Sequence, residues 1–169
     1  MLEKILIRIT DRLPCRLIDG PGGEPYLERY YLFGLFGWHG YLHRFVDSDP
    51  DRGLHDHPWG RALSLVLTGG YREIRFANPD QETLRERRIR PWRLNRLRGE
   101  DYHRVILEQG RPAWTLFLHG PRCKGWGFRR NGQYTEMARN AGEFRHRDWW
   151  KQAPSGRAAR ALRSLPADG

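Results

Sequence analysis

The sequence predicts an all-β protein, a sandwich or barrel of short strands followed by a short C-terminal helix and a basic tail. Aromatic-rich and apolar runs of strand length recur about every 8–12 residues. Turn residues punctuate them, with 19 glycines and 11 prolines scattered over 169 residues. Only the C-terminal part departs from this pattern. The length suits a single hydrophobic core, which places one domain at 1–153 and a flexible tail at 154–169.

Taken in order, "MLEKILIRITDRLPC" carries charges inside its apolar run, which argues against a signal peptide. No stretch approaches the roughly 18–20 apolar residues of a membrane span, so a soluble cytoplasmic protein is the expectation. "RYYLFGLF" (29–36) and "GYLHRFVDS" (40–48) read as a hairpin around Gly37 and Gly40. "RALSLVLTGGYREIRF" (61–76) reads as a second, because Gly69-Gly70 suits the positive φ angles of a two-residue turn. "TLRERRIR" (83–90) has no clean period and is assigned to an exposed edge strand. "PWRLNRL" (91–97) and "HRVILEQ" (103–109) flank the turn "RGEDY", and "AWTLFLHG" (113–120) is a short apolar strand. "KGWGFRRNGQYTEM" (124–137) contains the Asn131-Gly132 turn signal. "AGEFRHRDWWKQ" (141–152) predicts an amphipathic helix that turns Phe144, Trp149 and Trp150 to the body. The polar, small and basic residues after Pro154 predict a loose tail or frayed helix.

The formal charge is +10. Arginines interleave with acids over most of the chain, as on a solvated surface; the excess sits in 84–98 and after Arg139, where a polyanion would bind. Nucleic-acid binding is the lesser reading, because no aromatic interleaving along one strand face supports it. Cys15 and Cys123 form no CxxC and fit reduced thiols.

Histidines stand at 39, 43, 55, 57, 103, 119 and 146. In "GLHDHPWG" His55 and His57 lie two apart, so an extended backbone aims both rings at one point. Pro58 pushes His57 toward that backbone. His103 opens a later strand after a glycine-bearing turn. His39 and His43 lie beside aromatics and read as half-buried strand residues able to line a cavity. His119, at a strand end, reads as a surface residue with support of a ligand as its alternative, and His146 reads as a surface residue.

"GLHDHPW…LTGG…GEDYHRVIL" resembles the two sequence motifs of the cupin superfamily, G-x5-H-x-H-x3,4-E-x6-G and a later strand with one histidine. His55, His57, Gly69 and His103 match; the opening glycine falls at Asp49, and Arg61 and Ala62 stand where the glutamate belongs. The resemblance spans about residues 29–137. It implies a double-stranded β-helix, the cupin jelly-roll barrel, with a divalent metal on His55, His57 and His103. The lost glutamate makes the site resemble the three-histidine thiol dioxygenases. Fe(II) is the favoured ion, with Zn, Mn, Ni or Co compatible with imidazole, and Glu73, Glu100 and Asp101 are candidates for a fourth ligand.

Arg61, at the glutamate's place, is a candidate to hold a substrate carboxylate or phosphate bidentately; its plainer role is a partner for Asp56 or another surface acid. Tyr71, Arg44, Tyr102 and Trp126 are further candidates to reach the cavity, with Tyr71 kept beside Arg61 as a catalytic candidate. Strand alternation beside His103 counts against Tyr102. The function this implies is a metal-dependent enzyme, a non-haem Fe(II) oxygenase acting on a small anionic substrate. The alternative is a non-catalytic cupin that binds a small ligand or serves as an accessory or assembly protein, with dimerisation through an exposed strand near 26–36 as a family analogy.

Overall fold

The computed structural model describes residues 1–78, 82–108, 110–137 and 148–163. Helix α1 (Leu2–Thr10) leads into β1 (Cys15–Asp19), β2 (Pro25–Leu35), β3 (Trp38–Phe45), β4 (Leu54–His55), β5 (Arg61–Thr68) and β6 (Tyr71–Asn78). There follow β7 (Thr83–Ile89), β8 (Leu94–Arg98), β9 (His103–Leu107), β10 (Ala113–His119), β11 (Gly127–Arg130), β12 (Gln133–Glu136) and α2 (Gly156–Arg163). The strands form two six-stranded antiparallel sheets in the orders β1-β2-β3-β10-β5-β8 and β12-β11-β4-β9-β6-β7. Most neighbours in the sheets are not neighbours in sequence, which is the jelly-roll property: the chain crosses between sheets and wraps one interior.

Alternation on β5 shows how the layers are filled. Ala62, Ser64 and Val66 are buried between the sheets, while Leu67 turns outward. One end of the interior is closed by Leu27, Phe45, Val66, Tyr71, Ile89, Val105, Leu107 and Ala113. Toward the other end Tyr41, Ala62, Leu97 and Phe117 pack with Tyr31, Trp59 and Trp149. The outer face of the first sheet is apolar as well: Tyr30, Leu42 and Trp114 are covered by Leu6 of α1 and Ala159 of α2.

The hairpin at Gly37 (φ 77°) forms, and β7 is an edge strand. The turn between β11 and β12 has positive φ at both Asn131 (51°) and Gly132 (76°), as a two-residue hairpin turn requires. The expected hairpin over 61–76 does not form, because β5 belongs to one sheet and β6 to the other. Gly69 (φ 75°) and Gly70 (φ 131°) instead carry the chain between layers. A Cβ on Gly69 would lie 2.4 Å from the Pro112 carbonyl oxygen, so the crossing needs glycine for closeness as well as for φ.

The C-terminus also differs from expectation. Of the helix expected over 141–152, residues 141–147 lie outside those described, and Trp149–Lys151 form a single 3₁₀ turn. Trp150 stacks on Tyr31 with 4.1 Å between centroids, so these tryptophans do face the body. The expected loose tail is, over Gly156–Arg163, the docked helix α2. Ser155 caps it, its Oγ accepting the Ala158 N–H (3.3 Å), and "GRAARALR" is rich in strong helix formers. Gly156 packs so closely on Thr10 that a Cβ would sit 2.1 Å from its carbonyl oxygen. The charge is used in docking: Arg160 donates to Tyr30 Oη (2.6 Å) and pairs with Asp11, and Arg163 donates to the buried Glu28 (2.6 Å). Helix α1 was not among the expected elements, although Leu2, Leu6 and Ile9 stand at helical spacing.

Candidate metal centre

Strand β4 is only two residues long, yet it sits inside the second sheet, paired to β11 through His55 and Phe128 and to β9 through His55 and His103. That ladder sets His55 and His103 side by side, with ring centroids 4.7 Å apart. His57 comes two residues later, where Pro58 ends the pairing, and its ring lies 5.1 Å from His55 and 4.9 Å from His103. Ligand nitrogens of all three lie within 4.8 Å of one another.

The His103 ring is oriented by Glu73. Its Nδ1 lies 2.7 Å from Glu73 Oε1. An ionised carboxylate can only accept, so Nδ1 carries the hydrogen and Nε2 points its lone pair inward. Glu73 is fully buried, and its carboxylate also takes hydrogen bonds from Asn95 (2.8 Å), Arg75 (3.0 Å) and Arg87 (2.7 Å). Burial alone would push this carboxyl up; the His103 hydrogen bond and charge, with Arg75, outweigh it and hold the pKa well below the usual range. Glu73 is thus an outer partner of a ligand, a recurring feature of metal-binding histidines.

His57 Nε2 lies 2.8 Å from His103 Nε2. Two neutral lone pairs at that distance repel, so either a proton bridges them or both face a cation. Burial, followed by the charge of His103, holds the pKa values of His55 and His57 well below 6.5, keeping both imidazoles neutral and ready to ligate. Asp49 Oδ2 lies 3.8 Å from His55 Nδ1 and accepts the Val105 N–H (2.8 Å). Burial raises the Asp49 carboxyl, with the Val105 bond opposing. The donor set, three imidazoles with a buried carboxylate behind His103, fits a divalent borderline metal such as Fe, Zn, Mn, Ni or Co.

The three histidines open onto a cavity of about 200 Å³. Tyr71 and Trp126 line it as expected. The Tyr71 hydroxyl lies 3.4 Å from Asn95 Nδ2, and burial, then Glu73, pushes its pKa up to about 12. Arg61 does not reach the cavity. It is exposed on β5 with the opposite alternation from Ser64, which lines the cavity, so of the two positions that could take the motif's glutamate Arg61 projects outward and the buried Ala62 inward. Arg44 is also on the outer face, bonded to Glu28 (3.3 Å) and over Trp114. Tyr102 packs away from the site, against Phe76 and Tyr134. Of the other fourth-ligand candidates, Glu100 is exposed and Asp101 is engaged by Arg75 and the Arg98 N–H (2.8 Å).

His119 is buried rather than superficial; it stacks on Trp59 (4.1 Å), which in turn stacks on His57 (5.0 Å). His39 joins this wall 5.3 Å from His119, and burial lowers the His119 pKa to about 4. His146 lies outside the described residues. On the wall opposite the histidine triad, Arg29 Nε donates to His43 Nε2 (3.0 Å), and the buried His43 has its pKa held low by burial and then by Arg29. Sequence reasoning missed Asp49, Arg29 and Arg52 as cavity residues. Asp49 alone had a signal, standing where the motif's opening glycine would be.

No family model and no curated protein sequence matches the chain. Solved structures do. A cupin-2 domain protein from Rhodospirillum rubrum superposes with TM-score 0.55 at 11% identity, over 70% of this chain and 76% of that one. An Fe(II) form of the enzyme HppE, crystallised with an alternative substrate, (S)-1-HPP, superposes with TM-score 0.52 at 15% identity over 66% of this chain. This chain spans 57% of that protein's length. At such identities the likeness speaks for the fold. Together with the two wrapped sheets and the convergent histidines, it shows a chain with the cupin fold and a three-histidine group able to hold a metal at its centre.

Proposed function

We propose that this protein is a metal-dependent enzyme, an Fe(II) oxygenase acting on a small anionic substrate. The observation that carries the reading is the cluster of His55, His57 and His103, with His103 fixed in tautomer by a buried carboxylate and all three facing one cavity. His57 and His103 aim ring nitrogens at each other across 2.8 Å, with His55 beside them, as ligands converging on one ion do. Bound Fe(II) would supply the binding and activation of O2.

The chain's own residues do the rest. Glu73 holds the His103 hydrogen on Nδ1. Trp59, Phe117, Trp126 and Phe128 line the cavity and keep bulk water from its walls, and Arg29, Arg16 and Arg52 give it positive charge. Three protein ligands rather than four leave open positions for substrate and O2.

Elemental analysis of protein purified without chelators, followed by O2-uptake measurements on the iron-loaded protein with small thiols and 2-oxo acids, tests this. Near one metal per chain, lost in His57→Ala, and O2 uptake with at least one anionic substrate are expected. No stoichiometric metal in the wild type, or unchanged metal content and O2 uptake in His57→Ala, would overturn the reading, and metal without O2 uptake across the panel would favour the accessory role.

A further inference from the structure

We infer that Arg52 binds the negative end of the ligand in this cavity, and that the ligand carries an apolar body between that end and the three histidines. The inference deepens the enzyme reading above and rests on it only for what happens at the histidine end.

Arg52 lines the cavity with its guanidinium carbon 4.4 Å from the centroid of Phe128. Phe128 is the residue paired with His55 in the ladder, so the cation is tied to the strand pair that places the histidines. Stacking occupies the face of a guanidinium and leaves its N–H edges for a carboxylate or phosphate. The neighbouring acids have other hydrogen-bond and ion-pair partners, although the Arg52 charge also acts on Asp49. Asp51 pairs with Arg104 (2.9 Å), and Asp49 accepts the Val105 N–H and lies 3.8 Å from His55. The other nearby cations have such partners: Arg129 bonds Glu82 (2.8 Å) and Arg29 bonds His43 (3.0 Å). Arg52 Nε, in contrast, is buried with no acceptor among the described residues. A buried donor without an acceptor carries a desolvation cost that a bound anion would remove.

Beside the histidines and charged groups, the cavity is lined by the apolar and aromatic side chains of Phe128, Trp126, Phe117 and Leu97. These side chains suit an apolar segment, so a carboxylate, phosphate or phosphonate on a short apolar chain matches the lining. The cavity's volume of about 200 Å³ keeps that chain short, being smaller than the roughly 300–1,000 Å³ of drug-sized sites.

The test is calorimetric titration of the metal-loaded protein with straight-chain monocarboxylates from acetate to hexanoate, each beside its uncharged amide. The wild type should prefer carboxylate over amide by roughly tenfold or more, as charge-assisted hydrogen bonds do. One chain length should bind best, because the gap from Arg52 to the histidines is fixed. Arg52→Gln should bring the carboxylate-to-amide ratio close to unity, and Arg52→Lys, which keeps the charge and guards against a folding artefact, should retain part of it. No preference in the wild type, full preference in Arg52→Gln, or loss of preference in Arg29→Gln alone would overturn the assignment. Repeating the series on metal-stripped protein separates the two readings: a preference that persists there belongs to Arg52, whatever the histidines hold.

Discussion

Replacing Glu73 by glutamine tests the link between the buried carboxylate and the metal centre. The amide keeps the shape but loses the charge that holds the His103 hydrogen on Nδ1 at 2.7 Å. It can also present its NH2 group to the ring, which favours the tautomer with the lone pair on Nδ1 and the hydrogen on Nε2, aimed at the metal position. Loss of such an outer partner weakens metal binding about 10–100-fold, or about 1.4–2.7 kcal/mol. Stability falls separately, because Arg75 and Arg87 lose their common counter-ion. Breaking a fully buried pair costs about 3–5 kcal/mol. The Arg87 side chain is 39% exposed, which lowers the expectation to about 2–3 kcal/mol. At about 2–4 °C per kcal/mol for a chain of this size, the melting temperature should drop by roughly 4–12 °C.

The assay is metal competition against a chromophoric chelator, beside thermal melts of metal-free wild type and Glu73→Gln. The metal-free melts isolate the ion-pair loss; the competition isolates the tautomer effect. Unchanged metal affinity with a lowered melting temperature would refute the tautomer argument and leave Glu73 a structural residue. Unchanged values in both would refute the whole account of this carboxylate.

Arg61→Ala should change neither metal content nor the carboxylate-to-amide preference, since the side chain lies on the outer surface; loss of either, by elemental analysis or calorimetry, would return it to the site. Stability of the metal-free protein should fall with acid in two stages. The folded pKa values of His55 and His57 lie below 6.5, so below pH 6.5 protons favour the unfolded chain until the folded values are reached. Glu73, also depressed, contributes stability that is present above about pH 4.5 and lost below it. Chemical denaturation from pH 8 to pH 4 should therefore show a plateau above about pH 6.5 and a decline beneath it; stability rising as pH falls from 6.5 to 5 would contradict the burial of neutral imidazoles.

Much of the fold was legible because strand and turn signals are local. Asn131-Gly132 gives its hairpin, and "TLRERRIR" its exposed edge. The Gly69-Gly70 signal was equally clear, yet a turn's φ angles do not say whether the strands they join stay in one sheet. That is decided by what packs above and below, here Pro112 pressed against Gly69. Tail docking failed for a similar reason. Arg160 and Arg163 look like a solvated basic run until Asp11, Tyr30 and Glu28, more than a hundred residues away, turn out to receive them. The histidine triad was legible because two members are fixed by i, i+2 spacing and the third by a motif. The arginines were not: Arg29 and Arg52 belong to no motif, and nothing in the local sequence separates them from the other cations.

The misplacement of Arg61 and the placement of Arg52 follow from one electrostatic constraint. Replacing a glutamate ligand removes a negative charge from a metal site, and an arginine at the same inward position would add a positive one beside a divalent ion. In a low-dielectric interior that repulsion is large. Instead Arg61 projects outward and the buried alternative is Ala62, while the cavity's cations are held by other groups, Arg29 by His43 and Arg52 over Phe128. Glu73 does little to neutralise an ion at the triad, because Arg75 and Arg87 already share its carboxylate. A divalent ion on three neutral imidazoles thus keeps most of its charge. The missing compensation is negative, and an anionic ligand reaching toward Arg52 would bring it. The absent glutamate and an arginine whose Nε has no acceptor among the described residues are, on this account, complementary parts of one charge requirement.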